Sequence, residues 1–158
     1  MSIEIARKHL EKYGLEDKIL EFDVSSATVE LAAEAVGTEP QRICKTISFK
    51  KPEGGAILVQ TAGDTKIKNG KFKGTFGFKA KMLPAEEVEL YTNHQIGGVC
   101  GFGITNKETE IYVDESLKRF ATVFPACGSS NSAIELTPEE VFKYSEALDW
   151  VDVCDIIE

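Results

Sequence analysis

A chain of 158 residues, 42% of them hydrophobic, can bury one core and leaves little for a second, so residues 1–158 are expected to form a single domain. Glu4, Arg7 and Lys8 interrupt the first ten positions, and no later stretch approaches the roughly 18 apolar residues of a membrane helix, so neither a targeting leader nor a membrane partner is expected. The formal net charge of −8 argues against a general nucleic-acid binder, and cysteines at 44, 100, 127 and 154 without a C-x-x-C fit reduced cytoplasmic thiols better than a zinc site or a disulfide framework.

Ile3, Ala6 and Leu10 predict an amphipathic helix over Ser2 to Tyr13 that stops at Gly14. A short strand follows at Ile19 to Phe22. Ser25 and Ser26 offer caps for a second helix, whose apolar residues Val29, Ala32, Ala33 and Val36 recur at helical spacing before Gly37. After a turn at Pro40, Ile43 to Phe49 and Ala56 to Thr61 read as two strands joined by a hairpin-like connection. The next segment is too broken by glycine to assign. Pro84 opens a short helix through Val88, and Gly97 to Ile104 forms a glycine-rich loop or strand edge. Ile111 to Val113 and Phe120 to Phe124 are expected strands. Thr137-Pro138-Glu139-Glu140 supplies a cap, a proline at the first helical position and a capping box. A last strand lies near Trp150 to Val153. The order of elements predicts an α+β fold, a curved mixed and barrel-like sheet flanked by helices.

Three features could carry chemistry. Strand alternation puts Lys45 on the face of Ile43, Ile47 and Phe49, where it either snorkels past the sheet edge or enters a cavity that receives an anion or a polarised carbonyl. Gly97-Gly98-Val99-Cys100-Gly101-Phe102-Gly103 allows close backbone approach to a ligand, or is a tight turn, and it lacks the spacing of a nucleotide-phosphate loop. Lys66, Lys68, Lys71, Lys73, Lys79 and Lys81 occupy a segment without an acid, which serves either as a wet surface or as a track for phosphates. His9 and His94 lack partners at ligand spacing, and no triad or carboxylate pair stands out.

The run Ala27 to Gly37 followed by Ile43 to Phe49, the loop Gly97 to Gly103, and Gly128 to Leu136 leading into Thr137-Pro138-Glu139-Glu140 together resemble the YbaK/EbsC and prolyl-tRNA-synthetase-associated editing family. The resemblance covers about Val24 to Val141 and implies a trans-acting aminoacyl-tRNA deacylase, with Ala- or Cys-tRNA(Pro) the first substrates to try. It places Lys45 at the family's functional lysine. Gly97 and Gly98 would join it through loop amides, while Val99, Cys100, Gly101, Phe102, Gly128, Ser129 and Asn131 would contact substrate. Lys66, Lys68, Lys71 and Lys73 would meet the tRNA. No cofactor or metal is implied. The expected partners are the acceptor end of a mischarged tRNA and an aminoacyl-tRNA synthetase, with DNA excluded. Gly101 replaces the family's loop proline, which predicts a looser loop, and Ser130 stands where a basic residue is common. A non-catalytic module with the same pocket is the competing reading.

Overall fold

The helical spacing of Ile3, Ala6 and Leu10 becomes α1 (Ser2–Glu11) in the computed structural model, which describes residues 2–157. Ala6 and Leu10 are fully buried, and Gly14 adopts a left-handed φ of +73° after the helix. A two-residue β1 (Leu20–Glu21) leads to α2 (Val29–Val36). Its cap is Thr28, whose side chain accepts the Leu31 N–H at 3.1 Å. Ser25 does not cap the helix, because its hydroxyl accepts the Ala27 N–H locally, and Ser26 is engaged through its backbone with the Ser130 carbonyl.

A short 3₁₀ turn at Pro40–Arg42 feeds β2 (Ile43–Lys50), which pairs antiparallel with β3 (Ala56–Ala62) and sets Lys45 opposite Thr61. The unassigned glycine-broken segment is ordered as β4 (Thr65–Ile67) and α3 (Asn69–Phe76). What orders α3 is packing rather than propensity: Phe72 is buried, with its ring 4.6 Å from Phe49 and 4.7 Å from Phe76. The helix expected from Pro84 to Val88 extends further, as α4 (Ala85–Thr92), with Pro84 as its cap residue.

The strand expected around 111–113 is β5 (Thr109–Asp114). The expected strand Phe120 to Phe124 is mostly absent. The Asp114 side chain accepts the Ser116 N–H and starts a 3₁₀ turn at Glu115–Arg119, leaving only β6 (Phe124–Pro125) extended and paired. After β7 (Ser132–Ala133), the expected capping box is formed at α5 (Pro138–Tyr144), with Thr137 and Glu140 exchanging bonds of 2.8 and 3.1 Å. The closing strand is split into β8 (Asp149–Val151) and β9 (Cys154–Ile156).

The main sheet has the order β6-β2-β3-β5-β8, with β2–β3 antiparallel and the other neighbours parallel. Two small antiparallel pairs, β1–β7 and β4–β9, complete a mixed α+β fold flanked by helices. Alternation along β2 separates two cores: Cys44 packs with Leu10, Phe102 and Ile134, and Phe49 with Ile57, Val59 and Phe72. The outer edge of β2 is covered unevenly. β6 pairs only with Ile43 and Cys44, while residues 81–83 return to bond Ser48 and Lys50. Between those two points the edge faces a cavity.

Candidate functional site

This cavity measures about 410 Å³, within the usual range for a small-molecule site. Val29 and Ala32 of α2 form one wall, Leu83 and Val88 the opposite one, and residues 43–48 of β2 the floor. Ile96, Gly97 and Val99 close the loop side, with Phe124, Ala126 and Ala133 beneath. Among the described residues Lys45 is the one charged member of the lining. Because the cavity lies at an edge rather than on a face, both sets of alternating side chains reach it, and Cys44, Thr46 and Ser48 line it beside Lys45 and Ile47. A larger depression of about 580 Å³ along α1 is more open and mixes Lys8, His9, Glu11 and Lys12 without a free strand edge.

Lys45 is half-buried, and its ammonium donates to the Thr65 carbonyl. Burial lowers its pKa from the ordinary lysine value, against the nearby Cys154, Asp64 and Glu30, which favour the charged form. Asp64 is in turn held by Arg119 through two bonds of 3.0 and 2.5 Å. The turn that carries Asp64 sits tight against the 3₁₀ segment: a Cβ at Gly63 would lie 2.0 Å from the Pro40 carbonyl and 2.8 Å from Val29. Gly63 therefore sets the approach of the Lys45 end of the site to α2.

The two glycine loops meet backbone to backbone. A Cβ on Gly98 would come within 2.8 Å of Gly128 and 2.9 Å of Ser129, and one on Gly97 would lie 3.8 Å from Ser130. Gly97 and Val99 line the cavity, whereas Gly98, Cys100, Gly101 and Phe102 lie behind the wall, buried. Gly128, Ser129 and Asn131 are likewise off the lining, and they brace it: Ser129 and Ser132 share a hydroxyl bond of 2.7 Å, and Asn131 ties Phe22 through both backbone and side chain. The loop is not loosened at Gly101. A Cβ there would meet Gln60 Oε1 at 2.7 Å and Ser145 Cβ at 2.8 Å, so this buried pair, itself bonded at 3.0 Å, fills the space beside the glycine.

Among the described residues Cys44 is the thiol that reaches the cavity lining, and the other thiols and both histidines lie off it. Cys100 is fully buried and burial pushes its thiol up to about 12, while Cys44 and Cys127 are pushed up by the same cause. His94 is also fully buried, and its Nε2 lies 2.6 Å from the Phe102 carbonyl, which can only accept, so Nε2 carries the proton. Burial lowers its pKa and keeps the ring neutral. Among the described residues no three His, Cys, Asp or Glu side chains are grouped to hold a metal ion.

The lysine-rich segment is partly neutralised by the end of the chain. Lys68 lies 3.8 Å from Asp155, and Lys71 pairs with Asp152 at 3.1 Å and Asp155 at 3.4 Å. Lys66 and Lys73 are exposed and take part in none of these ion pairs. Sequence alternation finds Lys45, but it misses Ser26, Thr46, Ser48, Met82 and Ile96, which line the cavity only because separate segments converge there.

A small α+β domain with a lysine at the open edge of its sheet defines the class of site. A model of the aminoacyl-tRNA editing domain matches residues 24–144, and the chain belongs to that family. It is 52% identical over 154 residues to the uncharacterized protein YwhH of Bacillus subtilis (strain 168), covering 98% of both chains. Its fold is similar to the crystal structure of a candidate trans-editing enzyme for prolyl-tRNA synthetase, with a TM-score of 0.86, 29% identity and coverage of 98% and 97% of the two chains. A hypothetical protein, APE2540, shares the fold at a TM-score of 0.79 and 24% identity, over 93% of this chain and 99% of that one. No helix among the described residues is long and apolar enough to cross a membrane.

Proposed function

We propose that this chain is a trans-acting aminoacyl-tRNA deacylase of the cytoplasm, one editing domain that hydrolyses the ester of a mischarged tRNA, with alanine or cysteine on proline tRNA as the first substrates to test. The observation that carries the reading is a lone, partly desolvated lysine at the open edge of β2, inside an apolar cavity of an editing-family domain. A cation so placed stabilises negative charge developing on the ester oxygen or on an adjoining phosphate far better than it would in water. Lys45 would leave the Thr65 carbonyl to do so.

Attack would come from water, or from a group on the substrate held beside the ester. The Cys100 thiol stays protonated and off the lining, and the His94 ring bonds a carbonyl behind the wall, so neither group supplies a nucleophile or base in the cavity. Catalysis would then rest on position, exclusion of water and electrostatics. Lys66 and Lys73 would guide the acceptor end, and a synthetase is a second candidate partner. One observation favours the competing non-catalytic module: the Lys45 ammonium already donates to the Thr65 carbonyl. A panel of mischarged tRNAs separates the two. Loss of the ester during incubation supports the deacylase, and tight binding with an intact ester supports the module.

A further inference from the structure

Lys45 finds a free acceptor because of the register between β4 and β9. The Asp64 carbonyl accepts the Ile157 N–H at 2.7 Å, and the Lys68 N–H donates to the Val153 carbonyl at 2.8 Å. The bonded pairs therefore fall on even-numbered positions, and Thr65, opposite Ile156, lies between them. Its main-chain groups turn away from β9, and its carbonyl takes the Lys45 ammonium instead. Thr61, which stands opposite Lys45 in the β2–β3 pair, is fully buried, as is Thr65. The Thr65 hydroxyl donates to the Ala62 carbonyl at 2.7 Å, which uses its one proton. In the 2.6 Å contact between the two hydroxyls Thr61 is then the donor. With its own proton used, Thr61 accepts from the Ser116 hydroxyl at 3.1 Å and from the Cys154 thiol at 3.2 Å. Ser116 accepts the Ala62 N–H at 3.2 Å, and its own N–H donates to Asp114 at 2.9 Å. Thr61, Thr65, Ser116 and Cys154 all lie behind the cavity lining.

We infer that Thr61 is a positioning residue for Lys45: through the Thr65 side chain, its hydroxyl fixes the carbonyl that holds the lysine as an ammonium until the ester arrives. This rests on the editing reading and adds to it the groups that ready its cation. A carbonyl can only accept, so a well-placed one favours the ammonium and opposes the burial that favours the neutral amine. The charged or titratable groups that also face Lys45 are Cys154 of β9, Asp64 of the β3–β4 turn and Glu30 of α2. Asp64 is engaged by Arg119, and Glu30 is exposed. Burial pushes the Cys154 thiol up to about 11, so it keeps the proton that it donates to Thr61. Ser116 donates to Thr61 as well, so the bond from Thr61 to Thr65 does not depend on the thiol.

The first readout is the titration of Lys45 in the free, whole chain, followed by NMR of isotope-labelled lysine side chains and identified by the signal that Lys45→Arg lacks. Thr61→Val removes the hydroxyl with little change of shape and should bring the Lys45 midpoint down by about half a pH unit, less than a whole hydrogen bond because the carbonyl is loosened rather than lost. Thr61→Ser keeps the hydroxyl and should titrate like the parent. Thr65→Val breaks the same bond from its other end and should shift Lys45 the same way, so either valine variant that folds decides the matter. The alkaline limb of kcat/KM on a mischarged tRNA, corrected for spontaneous ester loss, reports the free protein and should move with the midpoint, which a general loss of stability would not produce. An unshifted midpoint in a folded valine variant overturns the inference and leaves the editing reading intact. Failure of the parent to hydrolyse any mischarged tRNA removes the editing reading, and the inference falls with it.

Discussion

At Lys45 two demands oppose each other: burial favours the neutral amine, whereas the proposed chemistry needs the ammonium. Lys45→Ala should lower single-turnover hydrolysis of a mischarged tRNA by roughly 10²- to 10³-fold, the scale of removing one preorganised charge. Lys45→Arg should also be impaired, since the flat guanidinium keeps the charge but not its placement. Near-parental rates for the alanine variant would sink the assignment. The sign of the pH effect follows from the same shift. The active ammonium is lost as pH rises through a pKa below the ordinary lysine value, so the rate should fall on the alkaline side, earlier than an exposed lysine would cause, and this limb should be absent in Lys45→Arg. Replacing Cys44, Cys100, Cys127 and Cys154 by Ala or Ser in a protein that remains folded should leave turnover unchanged, because burial keeps these thiols protonated. Loss of turnover in folded Cys100→Ala would place the thiol in the chemistry. Gly101→Ala should destabilise by roughly 1–3 kcal/mol, read from denaturant midpoints, because its methyl would overlap the buried Gln60 and Ser145 side chains.

At the scale of elements, β4 and α3 show how sequence neighbours acquire different tasks. The lysines of this segment look alike in sequence, yet the pairing of β4 with β9 brings Asp155 alongside, so Lys68 and Lys71 carry local ion pairs and, among the described residues, Lys66 and Lys73 do not. Lys66→Gln with Lys73→Gln should therefore weaken tRNA binding and flatten its salt dependence, by at most about one unit of slope for each phosphate that a removed charge had neutralised. The same change at Lys68 and Lys71 should do less to the slope and more to thermal stability. Equal slopes for both pairs and the parent would return the segment to ordinary surface. The helices α1 and α2 were legible because each joins a helical apolar period to a stop signal, at Gly14 and Gly37, and α5 because Thr137, Pro138 and Glu140 spell a helix start. α3 was not, since its two glycines and its weak apolar stripe hide a helix that Phe72 anchors in an aromatic cluster. Phe120 to Phe124 misled in the other direction, because strand-favouring residues there follow a 3₁₀ turn begun by the Asp114 side chain.

Across the whole molecule, Asp64 and Arg119 join the β3–β4 turn to the segment after β5, 55 residues away in sequence. The Arg119 guanidinium holds the Asp64 carboxyl below the usual carboxylate range, so the pair contributes stability above that range and loses it as pH falls through the lowered value. Asp64→Asn should cost about 1 kcal/mol near neutrality, and the gap to the parent in thermal midpoint should close in strong acid. A gap independent of pH would show that charge is not what the pair contributes. Lys45 itself was legible because a period of two needs only one strand to place a lysine among apolar neighbours. By itself the sequence determined the period of each strongly patterned element, its caps and the glycine-bearing loops, since these depend on residues within a turn or two of each other. The tertiary structure alone decided which glycines line the cavity and which lie behind it, how Gln60 and Ser145 occupy the space beside Gly101, and where β2 is left unpaired. Those features arise where segments far apart in the chain exclude or reach one another, and no local pattern records how far β6 and residues 81–83 extend along a shared edge.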